Sequence, residues 1–290
     1  VSQLASFVKL MRPHQWTKNA FVFTGLIFSH SWGNPELLLR VIVAAIGFSL
    51  MASSVYILND IVDREQDAKH PKKKNRPLAS GSITVPVATM LGVVLAITGL
   101  GLGYWVSHLV CLILLAYSVM NLAYSFYLKH KVLLDVFVIA AGFMLRIMAG
   151  TVGVGIPPSQ WLVLCGLMVT LFLGFTKRRA EIITMGDGKS SHRLVLEHYS
   201  SVLLDKMIGI TASGMIMSYS LYTTSPETIR IHGTEHLIYT VPFVMYGVFR
   251  YIYLLHHQKG GTDTAHDLAR DPWLLASVVG WLSSTLWLIA

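Results

Sequence analysis

Long apolar windows recur down this chain with so little polar interruption that a bundle of membrane-spanning helices is the fold they demand. Stretches of the length needed to cross a bilayer as a helix, about 20 residues, fall near 37–58, 83–106, 108–127, 133–151, 160–176, 207–224, 237–255 and 272–289, with a weaker one near 14–30. Hydrophobic residues make up 53% of the 290 and charged residues only 13%, and the mean hydropathy is +0.57. Those values exclude an ordinary soluble domain of this length. The expectation is one all-α polytopic domain over 1–290.

The basic residues orient the bundle, because loops on the cytoplasmic side carry the Lys and Arg excess. All but Arg40, Arg146 and Arg230 of the 23 basic residues fall in alternate gaps. The alternation is clean only if 14–30 also crosses, which predicts nine transmembrane helices, the N-terminus inside and the C-terminus outside, in the cytoplasmic membrane. The net charge of +8 then belongs mainly to one face. It points to anionic headgroups or a phosphorylated substrate, and gives no reason to invoke nucleic acid. Cys111 and Cys165 sit in apolar spans with no CxxC or His-rich context, so they read as small hydrophobes. The sequence is compatible with a homo-oligomer and does not fix the oligomeric state.

At the cytoplasmic end of the second span the composition inverts. Asn59-Asp60-Ile61-Val62-Asp63-Arg64-Glu65-Gln66-Asp67 is followed at once by Ala68-Lys69-His70-Pro71-Lys72-Lys73-Lys74-Asn75-Arg76-Pro77. With helix continuing through Asp67, Asn59, Asp63 and Asp67 fall within an arc of roughly 80°, with Asp60 beside it. Oxygen-only donors of this kind suit Mg²⁺, which takes one or two carboxylates and completes its shell with water and phosphate. The basic run behind them, with Lys73 and Arg76, is placed to receive the same phosphates; its bland alternative is a solvated, lipid-facing flank.

Other polar residues divide between anchoring and chemistry. Arg12-Pro13-His14-Gln15-Trp16-Thr17-Lys18-Asn19 reads by composition as an interfacial anchor. Tyr124 and Tyr127 are default belt aromatics, whereas Lys129 and Asp135 are expected on the cytoplasmic rim. Arg146 lies within a span, about 16 Å along the helix from Asp135, and is either a structural ion-pair partner or an anion ligand. The sixth span ends in Thr176-Lys177-Arg178-Arg179-Ala180-Glu181, which is expected to project three cations and a carboxylate outward. In the last cytoplasmic loop Asp271 before Pro272 fits an N-cap with Pro at the first helical position, leaving Asp263 and Asp267 open as metal or ribose ligands.

The motif Asn59-Asp60-x-x-Asp63-x-x-x-Asp67 resembles the hallmark of the UbiA superfamily of intramembrane prenyltransferases, where it follows the second of nine helices. Ordinary members carry a second Asp-rich motif after the sixth helix, holding a prenyl diphosphate through Mg²⁺; here Lys177-Arg178-Arg179-Ala180-Glu181 stands in its place. That pattern, with Arg12-Pro13-x-Gln15-Trp16-x-Lys18-Asn19 and His70-Pro71-x-Lys73-x-x-Arg76-Pro77, is similar to the decaprenyl-phosphate phosphoribosyltransferase branch. Its members move 5-phosphoribose from phosphoribosyl diphosphate (PRPP) to a polyprenyl phosphate, feeding synthesis of cell-wall arabinan.

The resemblance implies that Asn59, Asp63 and Asp67 hold Mg²⁺ on the leaving diphosphate, with Asp60 in support. Lys18, Lys73, Arg76, Lys177 and Arg178 become candidate phosphate clamps, and Tyr124, Lys129, Arg146, Glu181, Asp263 and Asp267 further substrate-binding candidates. The lipid phosphate is already anionic, so no general base is required. Two rivals remain at this point. An aromatic prenyltransferase of the same superfamily would need Asp263 and Asp267, or another pair, to replace the second acidic motif. An ion-coupled transporter would need charges near the bilayer midplane, where only Arg146 lies.

Overall fold

The computed structural model describes residues 3–69, 73–185, 196, 198–257 and 270–289. Among these the regular structure is helical throughout: α1 (Gln3–Met11), α2 (Thr24–Phe28), α3 (Pro35–Val62), α4 (Arg64–Lys69), α5 (Val85–Val106), α6 (His108–Phe126), α7 (Leu134–Ala149), α8 (Gln160–Met185), α9 (Ser201–Thr224), α10 (Pro226–His232), α11 (Val241–His257) and α12 (Pro272–Ile289). The chain divides into two compact units, Val1–Tyr127 with Leu145–Pro158, and Leu128–Met144 with Ser159–Ala290. Asp263 and Asp267, together with His70, Pro71 and Lys72, lie outside the described residues.

The first unit is built on α3. Asn34 caps it, accepting from the Glu36 and Leu37 N–H groups at 3.1 and 3.2 Å, and Pro35 opens its first turn. This pairing of cap and Pro satisfies helix-end N–H groups that would otherwise be orphaned. Phe48, Val41, Ala44, Val22, Leu114 and Ala149 fill its core. Helices α3 and α5 meet closely at Gly47 and Gly99, where a Cβ on Gly99 would come within 2.9 Å of the Gly47 carbonyl oxygen; without small residues there the backbones would be held apart. Between α5 and α6 the expected tight hairpin is a single residue, Ser107, whose hydroxyl accepts from the Val110 N–H at 3.1 Å and donates to the Gly153 carbonyl at 2.6 Å. In the second unit Val136, Phe172, Phe175, Leu204, Ile208 and Leu254 form a separate core.

Seven of the described segments are long and apolar enough to cross a membrane, against nine expected. Helix α9 has the length, at 24 residues, but its hydroxyls dilute its hydropathy. Several of these are returned to the helix's own carbonyls, Thr211 to Met207 and Ser220 to Ile216 at 2.8 Å each, so their polarity is partly absorbed internally. The weak window near 14–30 forms a 3-10 helix, Pro13–Phe23, and then the single short α2. Its sequence has Pro at the start and Thr, Lys and Asn within the first turns, a poor α-helical nucleus.

Candidate active site

In the first unit the acidic motif sits where α3 gives way to α4. The helix expected through Asp67 is interrupted at one residue, Asp63, which takes φ −88° and ψ 5°. The i→i−4 ladder nevertheless runs on, from Asp63 N–H to Asn59 C=O at 2.9 Å and from Asp67 N–H to Asp63 C=O at 2.8 Å. Asn59, Asp63 and Asp67 therefore keep their one-turn spacing.

Two of these carboxylates are deeply buried, Asp60 at 3% exposure and Asp67 at 2%. Burying a carboxylate costs several kcal/mol unless a counter-charge accompanies it, and the chain supplies three. The Arg76 Nη1 atom bridges Asp60 Oδ1 at 3.0 Å and Asp67 Oδ2 at 2.6 Å. Lys73 Nζ stands 3.5 Å from Asp67, and Arg12 Nη2 lies 2.5 Å from Asp60 Oδ1. Asn59 accepts a hydrogen bond from Ser125. The basic run is thus drawn onto the acidic one, and Arg12, which reads in sequence as part of an anchor, is a direct member of the cluster. Lys18 is exposed, and Tyr124 is half-buried.

Whether this donor set suits Mg²⁺ follows from its chemistry. Among the described residues no three His, Cys, Asp or Glu side chains converge as a ready-made metal cage. Mg²⁺ does not need one, since it binds through one or two carboxylates and keeps water or phosphate for its remaining positions. Asn59, Asp63 and Asp67 offer hard oxygens on successive turns, with Asn59 and Asp63 only half-buried. The residues present fit the ion.

Arg146 is buried to 4% exposure in the same unit. Its Nε donates to Asn19 Oδ1 at 2.7 Å and its Nη2 to the Tyr117 hydroxyl at 3.2 Å. The guanidinium carbon lies 4.9 Å from the ring centroids of both Phe48 and Tyr117, an arrangement that stabilises a desolvated cation.

A different cluster stands at the end of α8 in the second unit, and it corrects the picture of three projecting cations. Lys177 is exposed, but Arg178 and Arg179 are buried, because three consecutive helical residues spread over about 200° and cannot share a face. Arg178, 1% exposed, binds Glu181 at 2.5 Å and lies 3.5 Å from Asp135. Arg179 binds Asp205 at 2.5 Å and the Leu255 carbonyl at 3.1 Å. The Tyr199 hydroxyl donates to Asp135 at 2.7 Å and accepts from the Leu133 N–H at 2.7 Å. Burial, and then the bond to Asp135, push that phenol above its ordinary pKa, so it stays a protonated donor. Arg178 and Glu181, expected as substrate contacts, are thus one internal ion pair. Lys129 is half-buried at the mouth of α7.

Comparison with known proteins places these residues in context. The family model described as "UbiA prenyltransferase family" matches residues 19–269. The decaprenyl-phosphate phosphoribosyltransferase of Mycobacterium tuberculosis is 31% identical over 97% of this chain and 93% of its own. The protein of that name from Corynebacterium glutamicum is 31% identical over 97% of this chain and 83% of its own. A solved UbiA homolog from Archaeoglobus fulgidus, bound to GPP and Mg²⁺, superposes with a TM-score of 0.74 at 15% identity, covering 98% of this chain and 99% of that one. Long apolar helices, an acidic motif at the end of α3 and these matches lead to one assignment: the chain is an integral membrane enzyme that belongs to the UbiA prenyltransferase family, a family of transferases.

Proposed function

We propose that the protein transfers 5-phosphoribose from PRPP to a polyprenyl phosphate, giving polyprenyl-phosphoryl-5-phosphoribose and diphosphate for cell-envelope arabinan precursors. The observation that carries this reading is the state of the carboxylates at the end of α8. Arg178 and Arg179, both buried, stand there among Glu181, Asp135 and Asp205, so this end of α8 brings fixed cations as well as carboxylates, in keeping with a donor that carries a second phosphate. The named relatives, matched over nearly the whole chain, support it independently.

In this reading Asn59, Asp63 and Asp67 hold Mg²⁺, and Asp60 keeps Arg12 and Arg76 in place. Bound Mg²⁺ supplies positive charge to the departing diphosphate. Arg76 and Lys73 already lie on the motif, ion-paired to Asp60 and Asp67, and in this reading they clamp the phosphate, Arg76 through its planar fork. Lys18 is a further phosphate contact in this reading. A lipid phosphate oxygen attacks C1 of the ribose as the C1–O bond to diphosphate breaks, with inversion at C1. That oxygen is anionic at neutral pH, so no side chain has to accept a proton.

The alternating basic gaps favour placing this chemistry on the cytoplasmic face, with α9 and the 13–28 segment completing nine passes and the N-terminus inside. Purified protein given radiolabelled PRPP, polyprenyl phosphate and Mg²⁺ should form lipid-linked ribose phosphate. Absence of that product, or product formed instead from a prenyl diphosphate and a phenolic acceptor, would overturn the assignment.

A further inference from the structure

The 3-10 segment Pro13–Phe23 is laced along one stripe of α3. Asn19 Nδ2 donates to Ser49 Oγ at 2.8 Å, Trp16 Nε1 donates to Ser53 Oγ at 3.0 Å, and Arg12 reaches Asp60 at 2.5 Å. Ser49, Ser53 and Asp60 are spaced by four and seven residues, so they lie on a single helical face. Read from Asn19 back to Arg12, the segment runs down that face toward the acidic motif. Ser53 also donates to the Met11 carbonyl at 2.8 Å, fixing the residue before Arg12.

Two features show that this lacing does more than fill space. Arg12 has φ 53° and ψ 58°, a left-handed backbone that is unfavourable for a residue with a Cβ and persists only where surrounding contacts impose it. And the far end of the lacing is anchored by a buried charge, since Asn19 Oδ1 accepts from Arg146 Nε at 2.7 Å. Apolar packing against α3 needs no guanidinium; a desolvated cation held between two rings, with its Nε aimed at Asn19, fixes the amide's direction.

We propose that Arg146, Asn19 and Trp16 are positioning residues that set Arg12 against Asp60 and thereby tune the acidic motif for a magnesium-bound diphosphate. Arg12 and Arg76 share one oxygen, Asp60 Oδ1, at 2.5 and 3.0 Å. While Arg12 neutralises Asp60, Arg76 is divided between Asp60 and Asp67. Once Arg12 is withdrawn, buried Asp60 draws Arg76 wholly to itself, and both Asp67 and the guanidinium leave the arrangement a diphosphate requires.

The proposal rests on the acidic motif being the diphosphate site, and the test separates the two. Calorimetric titration of the full-length protein with inorganic diphosphate in excess Mg²⁺ needs no knowledge of the donor. Arg12→Gln, Asn19→Leu and Trp16→Phe are each expected to weaken binding about tenfold, the equivalent of about 1.4 kcal/mol. The double variant Arg12→Gln/Asn19→Leu should bind no more weakly than Arg12→Gln alone, because both act through one contact. Arg146→Lys, which keeps a donor for Asn19, should lose less than Arg146→Met. Trp16→Phe removes the indole N–H while keeping an aromatic ring in place, and keeps the test open if the Arg146 variants do not fold. Asn19→Leu with a lowered Tm but wild-type affinity, or single losses that multiply in the double variant, would overturn the positioning role. Wild-type protein that binds no magnesium diphosphate would overturn the reading of the motif itself.

Discussion

Asp63 and Asp67 belong to one motif but differ in what surrounds them, so their variants should separate. Asp67 is buried and held by Arg76 and Lys73, whereas Asp63 is half-buried at the break between α3 and α4. Asp63→Ala is expected to lower magnesium-dependent turnover by at least ~100-fold with little change in Tm. Asp67→Ala should remove turnover and also lower Tm more than Asp63→Ala does, because it removes the buried carboxylate that ties Arg76 and Lys73 to α4. Turnover assays beside thermal melts in detergent distinguish the two, and Asp63→Ala with near-wild-type turnover would refute the metal assignment. These acidic residues are legible in the sequence because their spacing is local. Their distant partners are not: Arg12 is 48 positions from Asp60 and Ser125 is 66 from Asn59, and the Asn19 amide that braces the Arg12 segment is 127 from Arg146. Contacts of that separation leave no periodic mark in a single chain, so Arg12 looks like an anchor until the fold brings it to Asp60.

Helix ends follow the same division between local and distant causes. The N-cap expected at Asp271 is present, its Oδ1 accepting from the Leu274 N–H at 2.7 Å, since cap and Pro are neighbours in sequence. Its second role is not visible there: Arg250 from α11 binds the same carboxylate at 2.7 Å. The Arg250 hydrogen bonds and the Leu274 N–H hold the Asp271 carboxyl below the usual carboxylate range. A depressed folded-state pKa gives stability that is present above the unfolded value of about 3.9 and is lost as pH falls through the folded one. Asp271→Asn should therefore melt a few degrees below wild type at neutral pH and show a shallower loss of Tm on acidification below pH about 4. Parallel acid-dependence curves for the two proteins would refute this. Among the described residues the count by length and hydropathy stops at seven, against the nine expected, for a related reason: hydropathy sees the hydroxyls of α9 but not the carbonyls that take their hydrogen bonds.

At the scale of the whole molecule, the buried carboxylates among the described residues are ion-paired within the chain itself. Many small metal sites fold only when loaded; here Arg12, Lys73 and Arg76 already compensate Asp60 and Asp67. Chelation is thus expected to stop turnover while leaving a single cooperative melting transition, lowered only by the loss of ligand linkage, about 2.7 kcal/mol if the metal had stood at 100 times its Kd. Restored turnover on adding Mg²⁺ completes the expected result, and protein that unfolds or precipitates in chelator would contradict it. The division of charge between the units also bears on how the protein is made. Every partner of the acidic motif named above, from Arg12 to Ser125, lies within the first unit and ahead of residue 128. A nascent chain emerging in order has therefore released the whole set of counter-ions before most of the second unit has been synthesised. The motif can settle at the membrane surface during translation without leaving a bare carboxylate to wait for the C-terminal half.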